Sequence, residues 1–208
     1  MSEQTTLRRG RPGYDRQGIL EVAVAAFNEH GYDATSMGVL ADRLNLSKSA
    51  IYHHFASKDE ILEQALEEAL GGLEGVLRAA DAPAGRPAAD RLDAVLRGAV
   101  HVLVGRLPYV TLLLRVRGNT EIERRALTRR RAFDREVTEL VRRAQAEGTL
   151  RADIDAAVVA RLLFGMINSI VEWYRPGGRE SADRLADDVV AVALDGLRTA
   201  DRSAPFRR

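Results

Sequence analysis

Cysteine is absent from this 208-residue chain, lysine occurs only twice, and no apolar run is free of polar interruption for long. Without thiols there can be no disulfide, no zinc–thiolate site and no cysteine nucleophile, a composition suited to the reducing cytoplasm in which the protein is expected to reside. The net charge is only +1, so a general electrostatic grip on nucleic acid is not evident and any such binding must come from local placement of positive groups. The amino-terminal region carries arginines but lacks the apolar core of an export signal. The most apolar stretch, residues 156–171, is interrupted by Arg161 and Asn168 and is expected to be too short to span a bilayer. No membrane partner is anticipated.

Catalytic patterns are missing as well. There is no G-x-S-x-G elbow, phosphate-binding glycine loop or dinucleotide fingerprint, which removes the commonest hydrolase and nucleotide-dependent chemistries. The four histidines, His30, His53, His54 and His101, form no H-x-x-x-H pair; His101, on an apolar helix, reads as a core histidine. Carboxylate pairs such as Glu67 with Glu68 read as solvated helix charges. No enzyme activity, metal or cofactor is expected.

What is present is concentrated in residues 35–60, TSMGVLADRLNLSKSAIYHHFASKDE. Thr35 precedes Met37, Leu40, Ala41 and Leu44 at helical spacing and is expected to cap that helix. Asn45 follows, a residue able to enter the left-handed conformation of a sharp turn, and Leu46 plugs the angle. Ser47 should cap a second helix over residues 48–54, with Ala50, Ile51 and Phe55 inward and Lys48, Ser49, Tyr52 and His53 outward. This is a helix-turn-helix, in which the N-terminal residues of the second helix meet base edges. Ser57 and Glu60 then form a capping box opening a long helix, with Lys58 in its first turn. Lys48 and Ser49 are read as base contacts, joined on the outward face by Ser47 and His53. Thr35, Ser36, Tyr52 and Lys58 are read as phosphate contacts that position without reading sequence. Both lysines of the chain fall in this region, and Arg8, Arg9, Arg11 and Arg16 crowd its amino-terminal side. That basic arm, with Arg11 as its candidate DNA contact, either enters a minor groove or is a solubilising tail. The alternative for the motif as a whole is a helix pair that merely packs.

Residues 16–58, with ILEVAVAAFNEHGYDATSM, VLADRLNLSKSAIYHHF and then SK, resemble the N-terminal domain of the TetR family of transcriptional repressors. Several elements fall in register together over about the first quarter of the chain. The resemblance implies a homodimer that binds a palindromic double-stranded DNA operator and leaves it when a small effector binds the C-terminal domain. Asn45 stands where the family usually has glycine, and asparagine also tolerates the left-handed region.

The remainder reads as helical. Helices are expected over residues 16–29, 57–80, from the end of the DAPAGRP loop to 107, 108–117, 120–147, 154–174 and 182–199, with Gly31, Gly118, Gly148 and the RPGG run as stops. The fold class is therefore all-α: a basic arm (1–13), a helix-turn-helix domain (14–58), a helical ligand-binding and dimerisation domain (59–202) and a tail (203–208). Residues 156–174 are apolar nearly all round and carry Gly165 and Ser169 four apart, while Leu185, Val189, Val192 and Leu197 stripe the last helix. Two such helices from each subunit would make a four-helix bundle about a two-fold axis; otherwise they bury each other within one subunit.

Eight arginines lie between Arg115 and Arg135, against Glu121, Glu123 and Asp134. Arg129 and Arg130 fall at the margin of an apolar arc formed by Ile122, Ala126, Phe133, Val137 and Leu140, so each needs a carboxylate, a carbonyl or an anionic ligand. Arg161, Asn168 and Trp173 raise the same question on the apolar helix. Arg115, Arg129, Arg130, Arg161, Asn168 and Trp173 are the candidate effector contacts, with internal salt bridges as the alternative use of the arginines. LLLRVRGNTEIERR and INSIVEWYRPGG are similar to the ligand domains of TetR-type regulators of fatty-acid, steroid or aromatic-acid catabolism. That likeness implies an acyl-CoA or related thioester; the alternative effector is a neutral or cationic hydrophobic compound.

Overall fold

The computed structural model describes residues 15–82, 85–195 and 197, and among them the chain forms nine helices and no strand. Arg8, Arg9, Arg11, the rest of the expected basic arm and the 203–208 tail lie outside the described residues. Two compact units divide between Gln64 and Ala65, within the fourth helix.

The first unit begins with α1 (Arg16–His30), whose first turn is capped by Asp15 accepting from the Gly18 amide at 2.7 Å. It stops at Gly31, where φ is 87°, a value that glycine adopts without the Cβ penalty other residues meet. α2 (Met37–Leu44) is capped by Ser36, not Thr35: the Ser36 hydroxyl accepts from the Val39 amide at 3.2 Å. Asn45 takes φ 53° and ψ 43°, and the amides of Asn45 and Leu46 turn back to the carbonyls of Asp42 and Ala41, so the asparagine ends the helix as a glycine would. Ser47 caps α3 (Lys48–Tyr52) through the Ala50 amide at 3.1 Å. α3 has five residues, shorter than its periodicity implies, because the His54 amide bonds to the Ile51 carbonyl and tightens the end into a turn.

Ser57 opens α4 (Lys58–Asp81) by accepting from the Glu60 amide at 3.1 Å. The return bond differs from the expected capping box: the Glu60 carboxylate accepts from Ala56, at 2.6 Å. Ile19, Leu20, Phe27, Leu40, Ile51 and Phe55 are at most 2% exposed. Burial of each such side chain contributes about 1.5–3 kcal/mol, which holds the small unit together.

In the second unit α4 continues from Ala65, followed by α5 (Ala88–Gly105), α6 (Leu107–Arg115), α7 (Glu121–Ala146), α8 (Ala156–Trp173) and α9 (Ala182–Asp195). α5 is central, packed against α7, α8 and α9, and α7 lies along α8. Gly98 of α5 leaves a notch for Val76 of α4; a Cβ there would lie 2.6 Å from the valine. α7 starts at Thr120, whose hydroxyl accepts from the Glu123 amide at 3.2 Å. The buried Glu123 carboxylate accepts from the Gly118 and Asn119 amides, each at 2.7 Å, so it belongs to the turn and not to the arginine face where its charge had been counted.

α8 buries Val159, Ala160, Leu163, Ile167 and Ile170 but leaves Val158, Leu162 and Trp173 exposed. By length and composition its 18 residues are apolar enough to cross a membrane, which corrects the expectation that the segment is too short. Its packed face nevertheless makes it a wall of the helical body. The α9 stripe divides: Leu185 and Val189 are buried, whereas Val192 is 71% exposed, because the buried face of α9 is turned toward α5.

Candidate nucleic-acid interface and effector pocket

The outward face of α3 presents Ser49, Tyr52 and His53 to solvent, with Tyr52 50% exposed. Together with Ser47, Ala50 and His54 they line a wide, open concavity. Ile51 and Phe55 are fully buried on the opposite side, so packing fixes which residues face outward. Lys48 does not stand straight out. Its Cε lies 3.1 Å from where a Cβ on Gly38 would be, so the side chain runs back over the first turn of α2. Ser36 and Ser47 accept cap bonds, and each hydroxyl retains a proton that it can donate.

Two expected contacts are corrected. Thr35 is wholly buried and its hydroxyl donates to the Gly31 carbonyl at 2.8 Å; it fastens the α1–α2 turn and cannot meet a phosphate. Lys58 donates to the Tyr32 carbonyl at 2.9 Å, with its ammonium 4.0 Å from the Tyr32 ring centroid. Cation–π attraction and a hydrogen bond hold it inward, so it braces the same turn where phosphate clamping was expected. Arg16, counted with the basic arm, is also committed internally. It donates to Gln64 and to the His54 carbonyl, pairs with Glu60 at 2.9 Å, and stacks 4.1 Å from the Phe55 ring centroid. That bracing of the end of α3 was missed in the sequence, where Arg16 looked like one more basic residue. The Arg16 guanidinium and then the Ala56 amide hold the Glu60 carboxyl below its ordinary range.

The second site lies among α4 to α8 of the larger unit. A mostly apolar cavity of about 30 Å³ is lined by Leu73, Ala99, Leu103, Leu113, Phe133 and Ile167, among others, with Arg130, Asp134, Phe164 and Asn168 at its polar side. The last four residues also line an open groove of about 1000 Å³ between α7 and α8, which adds Arg131, Arg135, Arg142, Arg143 and Arg161. The cavity and the groove therefore share one boundary. Phe133 and Phe164 meet edge to face there, 5.1 Å between centroids. Solvent still reaches Asp134, but the protein crowded around it raises its pKa, opposed by the charges of Arg130 and Arg161.

Of the six expected effector contacts, Arg130 and Asn168 lie on this boundary and Arg161 lines the groove. Arg129 does not. It pairs with Glu74 at 2.8 Å and with Glu67 on α4, and the Glu74 and Glu67 carboxylates raise its pKa. Arg115 and Trp173 lie at exposed positions and line neither the cavity nor the groove. Phe133, Phe164 and Asp134 were missed as site residues, although Phe164 stands three residues from Arg161 and four from Asn168, one helical turn on either side.

Comparison with known proteins decides the family. Residues 19–65 match the model of bacterial regulatory proteins of the tetR family, and residues 85–197 match the tetracyclin repressor-like C-terminal domain. The chain belongs to the TetR family. It is a DNA-binding transcriptional repressor of that family, with a helix-turn-helix followed by a helical C-terminal domain. The crystal structure of a TetR-family regulator from Streptomyces coelicolor A3 is 47% identical, with a TM-score of 0.81 over 91% of this chain and 94% of that one. The transcriptional repressor KstR2 of Mycolicibacterium smegmatis is 25% identical over 90% of this chain and 92% of its own length. AibR, solved in complex with isovaleryl coenzyme A and operator DNA, is 26% identical with a TM-score of 0.71, over 86% of this chain and 97% of that one. The family and these relatives are regulators, not enzymes.

Proposed function

We propose that this TetR-family repressor binds a palindromic operator as a homodimer through the α3 faces and is released when an acyl-CoA thioester enters the second unit. The observation that carries the effector reading is the shared boundary of an apolar cavity and an arginine-lined groove at Arg130, Asp134, Phe164 and Asn168. An acyl-CoA has the matching two-part chemistry: an apolar group for the cavity and phosphates for guanidinium groups. Arg130 and Asn168 stand where a thioester carbonyl would pass. The likeness to AibR, a protein crystallised with isovaleryl coenzyme A, supports the same class. A cationic hydrophobic effector is disfavoured by the six arginines around the groove.

At the DNA, Ser49 and His53 are assigned to base edges, and Ser36, Ser47, Lys48 and Tyr52 to phosphates. The dimer reading rests on Val158, Leu162 and Trp173 of α8 and Val192 of α9, large apolar residues left exposed in one chain, beside the exposed Gly165 and Ser169. A second copy would cover them and place two α3 helices on the two half-sites. We assign the protein to the cytoplasm, where its operator and thioesters coexist. The test is a mobility shift with operator DNA, titrated with isovaleryl-CoA, free isovalerate and coenzyme A. Release by the thioester alone is expected, with a coupling of about 5–150-fold; no release by isovaleryl-CoA, or equal release by free isovalerate, would sink the effector assignment.

A further inference from the structure

Of the four side chains that line both the cavity and the groove, Arg130, Asp134, Phe164 and Asn168, only Phe164 is apolar. Phe133 is 4% exposed and fixed in the core, whereas Phe164, half-buried, faces the cavity on one side and the groove on the other. The edge-to-face contact of the two rings at 5.1 Å sets an aromatic pair at the boundary that the two spaces share. The cavity beside it is lined further by Leu73, Ala99, Leu103, Leu113 and Ile167. Its volume of about 30 Å³ is room for roughly two water molecules, at about 10–15 Å³ each.

Resting on the thioester reading above, we propose that the Phe164 ring is the acyl-length gate of the effector pocket. With the ring seated against Phe133, the cavity takes only the terminal carbons of a short acyl group such as butyryl or isovaleryl. A longer chain must displace the ring into the groove, where it would collide with the path of the phosphates toward Arg130 and Arg161. Chain length is thus read by one aromatic side chain, and the arginines read the anionic part that all CoA thioesters share.

The gate is tested by equilibrium binding of full-length wild type, Phe164→Ala, Phe164→Leu and Ala99→Leu to coenzyme A, butyryl-CoA and octanoyl-CoA, each thioester normalised to coenzyme A for the same protein. Wild type should prefer butyryl-CoA over octanoyl-CoA by about tenfold or more, the scale on which single methylenes are discriminated in apolar pockets. Phe164→Ala should abolish or reverse that preference, and Phe164→Leu, which keeps an apolar side chain but loses the ring, should reduce it. Ala99→Leu fills the cavity from α5 and should bring butyryl-CoA down to the level of coenzyme A. An unchanged preference in both Phe164 variants, or wild-type binding of octanoyl-CoA as tight as of butyryl-CoA, would overturn the gate while leaving the thioester reading intact. Wild type that binds none of the three compounds sinks that reading, and the gate with it.

Discussion

The DNA-reading unit and the effector unit both pair arginines internally, but only the second also gathers them around a groove. In the first, Arg16 and Arg43 are spent on internal partners, Arg16 on Glu60 and the end of α3 and Arg43 on Glu29 at 2.5 Å, and the α3 face carries Ser49, Tyr52 and His53 beside a lysine. In the second, many arginines are absorbed in the same manner, Arg129 on α4 and Arg142 and Arg143 on Glu139 among them, while Arg130, Arg131, Arg135 and Arg161 also line a groove. The difference teaches that a guanidinium's availability is set by what tertiary packing brings to it. In a small unit with few buried residues, the arginines brace; in the larger one, enough helices converge to leave a concave cationic surface.

The largest effect expected to break this comparison comes from the core of the DNA unit. Phe55 is fully buried beneath both the α3 turn and the Arg16 guanidinium, so Phe55→Ala should cost about 3–5 kcal/mol of stability. Mobility shifts should show loss of operator binding, whereas calorimetry should still detect butyryl-CoA binding. Loss of both together would mean that the two units do not depend on separate cores. Next in size, Arg161→Gln combined with Arg130→Gln removes two guanidinium groups from the groove. Charged hydrogen bonds of this kind contribute about 1.5–3 kcal/mol each, so affinity for coenzyme A itself should fall by at least tenfold, read by isothermal titration.

The helix-turn-helix was legible in the sequence because its signals are local. Ser47, Asn45 and Ser57 act within a few residues of themselves, and each ends or begins a helix where its chemistry requires. Thr35 and Ser36 are adjacent, and propensity cannot say which hydroxyl caps; the Gly31 carbonyl, brought near by the turn, takes Thr35. Lys58 escaped for the same reason, since nothing in a first-turn lysine announces a tyrosine ring 26 positions earlier. Arg129 and Arg130 both fall at the margin of the apolar arc, and only the position of Glu67 and Glu74 on α4 separates a structural arginine from one at the pocket.

A middle-sized effect sharpens the comparison at the DNA face. Lys48, folded back over Gly38, should position and not read, so Lys48→Ala should weaken all operator variants alike and lower the salt slope by about one. Ser49→Ala or His53→Ala should instead change which half-site bases are preferred, by about 1–3 kcal/mol at the affected position. Binding-site selection on randomised half-sites separates the two behaviours. A shifted base preference in Lys48→Ala would return that lysine to the base-reading set.

The smallest effect concerns Arg129, an arginine of the larger unit that is paired internally like those of the smaller one. Its guanidinium holds the Glu74 carboxyl below the ordinary value of 4.5, against the opposing push of burial. A carboxyl whose pKa is depressed by folding contributes stability above its unfolded pKa and loses it as the pH falls through the folded one. Both side chains are about one-third exposed, so solvent screening limits the pair to about 0.2–1 kcal/mol. Arg129→Gln should therefore lower the melting temperature slightly at pH 7, and the gap from wild type should shrink as the pH falls below 4.5. A gap that stays constant down to full protonation of Glu74 would assign the loss to packing of the arginine stem and not to charge. In that event α7 is held on α4 by contact alone, and the parallel with the bracing arginines of the DNA unit fails.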